Sequence, residues 1–410
     1  MDNNVYYIWL SLIFGPGSRQ AAELLRRFPD MISIYECENY PDDIRLTQKQ
    51  RSALEDKDLA KALEIHAVCV KKGIGIAGYH DRLYPERLRA MNDPPALLYY
   101  RGALRDFENE YLVSVVGTRS MTEYGGKITE YFCAEFASAG AVVVSGMASG
   151  IDSAAHRGCL SRGGYTVAVL GTAIDRPYPQ ESEQLYYKII ETGAVISEYA
   201  PGTPYFRNSF PLRNRIIAGI SNATLVTEAG ERSGALITAK DAIMQGKEVY
   251  ALPGLSGSKQ SVGTNTLLQK GVRLAYRPSD VLATAELMYP DKIHITAESY
   301  RPENRKDPTA AQNTQNTQNT LFVFPPEESV TDPVTGVDEK HDAVSFRNIG
   351  KLEPDEVTVI KALKGAGGGM YIDDVVALCG LDAGIVMSTL TVLEVYGIVS
   401  QKNDGRYVLV

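Results

Sequence analysis

The chain has 410 residues, 44% of them hydrophobic, enough for two or three domains with a sizeable core. Its formal net charge of −8 argues against a wholly basic nucleic-acid binder, but net charge says little about a single cleft. Between residues 81 and 286 there are 21 basic and 21 acidic side chains, so that span is neutral and the acidity lies mostly outside it. The five cysteines, Cys37, Cys69, Cys133, Cys159 and Cys379, form no Cys-x-x-Cys pair. Neither a zinc site nor a disulfide framework is expected, and reduced thiols in a cytosolic protein fit this usage.

Residues 5–14 are apolar, but Met-Asp-Asn-Asn precedes them and the run is too short to span a bilayer. Neither a signal peptide nor a membrane helix is expected, and the chain reads as cytoplasmic. Residues 1–75 read as a helical domain of helix-hairpin-helix or SAM-like type. In it, apolar-periodic stretches at 6–14 and 19–28 flank Gly15-Pro16-Gly17. Such a turn can present backbone N–H groups to a phosphate, with Arg19 assisting, or can be a plain Gly-Pro turn in a helical cap.

From residue 111 short β-branched runs alternate with helical segments. The runs are 113–117, 141–145, 165–170, 194–197, 224–227 and 248–252. The helices are 128–138, 152–161, 183–191, 213–220 and 235–245, and 96–100 is an additional strand. This alternation predicts an α/β domain over 76–296, a doubly wound, Rossmann-like parallel sheet covered on both faces. Residues 297–350, with their Gln-Asn-Thr repeats, read as a disordered linker. Residues 351–410 read as helix, helix, helix and hairpin, a small C-terminal winged-helix domain. Its third helix, 383–396, has no Lys or Arg and carries Glu394, which favours a protein-contact or structural role over reading the major groove.

In a doubly wound sheet, ligands bind beyond the carboxyl ends of the strands. Those ends carry Gly117-Thr118-Arg119-Ser120, then Ser145-Gly146-Met147-Ala148-Ser149-Gly150-Ile151-Asp152, Phe210-Pro211-Leu212-Arg213-Asn214-Arg215 and Ser233-Gly234-Ala235-Leu236-Ile237-Thr238. Glycines permit close approach, hydroxyls and helix-terminal N–H groups donate to anionic oxygens, and arginine forks suit phosphate. There is no Gly-x-Gly-x-x-Gly, Walker A or Gly-x-Ser-x-Gly pattern, so no cofactor is expected. Ser149 and His156 suggest a nucleophile and base, against the plainer reading of a helix-buried histidine. Asp152 is a natural N-cap.

These segments, in this order and together with Tyr178-Pro179, Ser197-Glu198, Glu228-Ala229, Pro253-Gly254 and Gly263-Thr264-Asn265, resemble the DNA-processing protein A (DprA) family across roughly 80–282. The resemblance implies a non-catalytic homodimer that binds single-stranded DNA without sequence preference. It would protect the strand and help load a RecA-type recombinase during natural transformation. The resemblance further implies that Arg119 contacts the DNA backbone, joined by Arg207, by Phe210 as a stacking ring, and by Arg213, Asn214 and Arg215. Ser233, Gly234 and Thr238 line the far side, and Gly117, Thr118, Ser145 and Gly146 complete the pocket. One of Arg213 and Arg215 is expected instead to brace the loop through a carboxylate such as Glu228. The family commonly has arginine where this chain has Ser149. Lys240 and Lys247 are candidates to compensate, or ordinary solvated residues. The alternative function is a nucleotide-binding or nucleotide-hydrolysing enzyme of a related fold. Against it, the loop Val226-Thr227-Glu228-Ala229-Gly230 lacks the glycine run of such hydrolases.

Overall fold

The computed structural model describes residues 2–206, 208–295, 354–364, 369–395, 398–402 and 405–409. The expected linker, 297–350, lies outside the described residues.

Among the described residues nine strands form one sheet. In chain order they are β1 Gly75–Gly78, β2 Leu97–Gly102, β3 Leu112–Val116, β4 Val142–Ser145, β5 Thr166–Leu170, β6 Ala194–Ser197, β7 Ala223–Val226, β8 Glu248–Ala251 and β9 Arg273–Leu274. Their spatial order is β1-β2-β6-β5-β4-β3-β7-β8-β9. All neighbours from β6 to β9 are parallel, while β1 and β2 add an antiparallel edge. Residues of β3 to β7 are buried throughout, because helices cover both faces. The pleat sorts their side chains between two cores. Leu112, Val116, Val142 and Val144 enter one, whereas Val113, Val115 and Val143 enter the other. This is the expected Rossmann-like α/β fold.

The chain order places a topological switch beside β3. From β3 the sheet grows through β4, β5 and β6 to one side. It then returns to β7, β8 and β9 on the other. Such a reversal leaves a crevice between the loops at the strand ends.

The N-terminal helices Asn3–Phe14, Arg19–Arg27, Met31–Glu36, Gln48–Asp56 and Ala60–Lys72 share their core with the sheet. The Tyr7 hydroxyl lies 2.9 Å from His80 Nδ1, and Tyr7 covers Gly78 so closely that a Cβ there would meet its ring at 2.1 Å. The Gly15-Pro16-Gly17 turn is not an open phosphate cradle. The N–H of Gly17 donates to Glu198 Oε1 at 3.3 Å, Gly15 N–H donates to Ser11 O, and Gly17 is buried. The turn instead fastens the helices to the sheet domain.

At the C-terminal end, helices Pro354–Lys364, Ile372–Cys379 and Ala383–Val395 precede an antiparallel pair, Val399–Gln401 with Tyr407–Leu409. The third helix packs on the helix Ser209–Ile220. Gly384 lets it approach, since a Cβ there would meet Pro16 O at 2.6 Å and Leu212 at 3.1 Å. Among the described residues no single helix is long and apolar enough to cross a membrane.

Candidate functional site

At the switch point lies a cleft of about 290 Å³. The loops after β3, β4 and β7 and the helix Ser209–Ile220 line it. Sequence reasoning had singled out nine of its lining residues: Gly117, Thr118, Arg119, Phe210, Arg213, Asn214, Ser233, Gly234 and Thr238. Two helices present their first turns there. Ala148 and Asp152 flank the start of Ile151–Ser161, and Ser233 and Gly234 precede Ala235–Met244. The N–H groups of Ile151, Ser153, Ala235, Leu236 and Ile237 are bonded within the chain, so what these ends offer an anion is chiefly the helix dipole.

The first loop is held from below. Thr118 N–H donates to Glu228 O at 2.7 Å, and the Glu228 carboxylate accepts from Thr122 N–H at 2.8 Å and Thr122 Oγ at 2.7 Å. Glu228 is therefore a buried brace of this loop, and its partner is Thr122 rather than an arginine. Arg119 projects from the braced loop into solvent, its guanidinium 5.2 Å from the Phe210 ring centre. Among the described residues it forms no ion pair. It is thus a charged fork on a rigid mount, available to an incoming anion.

Arg213 lines the cleft from beneath. It is 3% exposed and donates through Nη1 to the carbonyls of Gly146, at 2.7 Å, and Val169. Its Nε donates to Asn214 Oδ1 at 3.2 Å. Burial pulls its pKa down to about 10, against the attraction of Asp152, so it stays charged at neutral pH. The same burial raises the Asp152 carboxyl, opposed chiefly by Arg213. Asn214 reaches across the cleft, donating to Gly234 O at 3.3 Å.

The other candidates sit elsewhere. Arg215 does not reach the cleft. It is buried, its Nη2 paired with Glu198 and its Nη1 donating to Asp93 O at 2.8 Å. This is the expected bracing arginine, with Glu198 and Asp93 as partners in place of Glu228. Lys240 is paired with Glu394 of the third C-terminal helix and turns away from the cleft. The Ser145 hydroxyl is buried and donates to Val115 O at 2.6 Å, closing the sheet. Gly146 contributes its carbonyl to Arg213, and a Cβ there would meet Arg213 Nη2 at 2.5 Å. Arg207 lies outside the described residues.

Ser149 and His156 do not form a pair. Ser149 is exposed, while His156 is fully buried with Nδ1 2.7 Å from Thr166 Oγ1. Burial lowers its pKa to about 3, helped by repulsion from Arg213 and Arg157. An unfolded histidine titrates near 6.5, so below that pH unfolding takes up a proton that the folded chain refuses. Stability should accordingly fall by about 2 kcal/mol between pH 7 and pH 5 through this residue alone. Urea unfolding at the two pH values, compared with His156→Gln, checks this. An equal pH dependence in the variant would contradict it.

The sequence model of the DNA recombination-mediator protein A family matches residues 75–286. The chain belongs to this family. All nine strands of the sheet fall inside the family span, as do all the residues lining the cleft. Protein Smf of Synechocystis is 34% identical over 327 residues, which are 79% of this chain and 77% of that protein. DNA processing protein DprA of Streptococcus pneumoniae is 41% identical over 206 residues, 50% of this chain and 72% of that protein. The crystal structure of the S. pneumoniae protein superposes with a TM-score of 0.57 at 32% identity, covering 69% of this chain and 97% of that one.

Within the family fold, sequence reasoning missed several lining residues. Ala148, Ile217 and Arg232 line the cleft, and so does Asp152, which is not the expected N-cap. Gly150 takes that position without a side-chain cap, while Asp152 lies within the helix and accepts from Ala148 N–H at 3.3 Å beside Arg213. Arg232 had a signal, a basic residue two positions before the glycine that opens a helix. Ile217 had none, because an apolar residue on a core helix looks like packing.

Proposed function

We propose that this chain binds single-stranded DNA without sequence preference, protects it, and helps load a RecA-type recombinase during DNA uptake, acting as a binder rather than an enzyme. The observation that carries this reading is Arg119, solvent-exposed and unpaired among the described residues. It stands on a braced loop at the mouth of a cleft that two helix N-termini face. Phosphate contacts of that kind give affinity that ignores base identity. Gly117, Thr118, Asn214, Ser233, Gly234 and Thr238 surround the strand, with Arg213 as a fixed positive charge beneath it. Arg215 and Lys240, spent on internal carboxylates, hold the structure around the site. Membership of the recombination-mediator family supports the same reading.

Nucleotide hydrolysis is the weaker alternative, since its one candidate carboxylate, Glu228, is committed to Thr122. The C-terminal end, as a winged-helix module, acts through protein contact, because its third helix lacks basic residues and is docked on the sheet domain. A homodimer in the cytoplasm is part of the same proposal. β9 is a sheet edge with Leu274 exposed, and exposed Tyr276 follows it. The test is a nuclease-protection assay on a poly-dT oligonucleotide at increasing salt, run beside hydrolysis of nucleoside monophosphates. Protection that fades with salt, with no hydrolysis, is the expected result. Hydrolysis without protection would overturn it.

A further inference from the structure

Phe210 is the ring that the family resemblance assigns to stacking, yet it is only 9% exposed. Its surroundings are already occupied. Tyr178 lies 5.4 Å away and Tyr205 5.7 Å away, centre to centre, and Arg119 sits over the ring. A base can reach little of Phe210 without displacing one of these groups. Tyr178 and Tyr205 are the opposite case. They are 44% and 54% exposed, lie 5.7 Å apart, and tilt by only 31° to each other. Among the described residues neither hydroxyl has a hydrogen-bond partner, and the two rings are held side by side only by contact with each other and with Phe210, leaving much of each ring open to solvent.

Both tyrosines line a second groove, of about 700 Å³, with Thr172, Asp175, Arg176 and Thr203. Phe210, which lines the 290 Å³ cleft, touches both of them, so the ring cluster joins the two cavities. The charges differ between the two. The cleft has Arg119, Arg213 and Arg232 against Asp152, whereas the groove has Asp175, paired with Lys72 at 2.6 Å, and Arg176 against Glu181 and Glu183, which leaves it slightly acidic. An acidic groove repels phosphate. A nucleobase carries no charge and offers a π-face to any aromatic ring.

We propose that Tyr178 and Tyr205, backed by Phe210, form a stacking platform for nucleobases of the strand whose phosphates occupy the cleft. This rests on the single-strand reading above. The backbone follows the arginines while one or two bases turn outward onto the tyrosines. Phe210 serves as the fixed support that sets the angle of the two exposed rings.

The test measures binding of the full chain to a labelled poly-dT oligonucleotide and to an abasic oligonucleotide of the same length. Wild type is compared with Tyr178→Ala, Tyr205→Ala and the two Tyr→Phe variants. Each alanine variant should weaken poly-dT binding about tenfold without changing its salt slope, and each phenylalanine variant should restore it. On the abasic strand wild type and alanine variants should bind alike. Unchanged poly-dT binding in both alanine variants would overturn the platform, as would an equal loss on the abasic strand. Failure of wild type to bind either strand would instead overturn the single-strand reading itself.

Discussion

Arg215→Met should lower the free energy of unfolding by about 3–5 kcal/mol, because it leaves two buried carboxylates without their cation. Glu198 and Asp93 are 7% and 13% exposed at their side chains, and Arg215 itself only 6%. Burial raises the carboxyls of Glu198 and Asp93, and attraction to Arg215 is the chief opposing influence on both. On the arginine, the two carboxylates outweigh the effect of burial and hold it firmly protonated. Glu198 also accepts from Gly17 N–H, so the loss should reach the packing of the N-terminal helices. Urea unfolding reads the effect as a lower midpoint at unchanged slope. A loss below about 1 kcal/mol would mean that the pair is dispensable. Protein that remains folded should bind poly-dT with the wild-type salt slope, which separates a brace from a phosphate contact.

Gly150→Ala should damage both stability and the cleft. Gly150 has φ 79° and ψ −128°, a region that side-chain-bearing residues rarely enter. An added Cβ would meet the carbonyl oxygens of Thr118 at 2.4 Å and Arg119 at 2.6 Å. The first loop must then shift, and the Ile151 N–H bond to Thr118 O at 3.2 Å shifts with it. Backbone strain of this kind costs about 1–3 kcal/mol. Moving the mount of Arg119 should also weaken oligonucleotide binding. Gly163→Ala is the comparison, with φ 66° but nothing within 4 Å of the added carbon. It should cost stability and leave binding alone. Equal binding by both variants would show that the position of the first loop is unimportant.

The sheet was legible because β3 to β7 are buried on both faces and so read as continuous apolar runs. The antiparallel edge was only half visible. β1 is the short segment Gly-Ile-Ala-Gly, whose pairing depends on Tyr100 lying against Gly75. β9, two exposed residues, carries no periodic signal at all.

The cleft was legible in its glycines and hydroxyls, since close backbone approach and helix starts leave marks in composition. The fates of the arginines were not. Arg213 and Arg215 are two positions apart on one helix, and only the fold decides which carbonyls and carboxylates surround each. Arg213 falls on the ends of β4 and β5, and Arg215 falls on Glu198 and Asp93. Lys240 looked like a solvated helix residue because Glu394 lies 154 positions away. The tyrosine platform was equally hidden, since Tyr178 and Tyr205 meet Phe210 from separate loops.

The most direct measurement is the affinity of wild type and Arg119→Ala for a fluorescent poly-dT oligonucleotide at low and moderate salt. The account predicts tight, strongly salt-dependent binding by wild type. Arg119→Ala should bind more weakly by about 1.5–3 kcal/mol and with a salt slope reduced by about one. Folded wild type that fails to bind at low salt, or an Arg119→Ala variant that binds as wild type does, would contradict it.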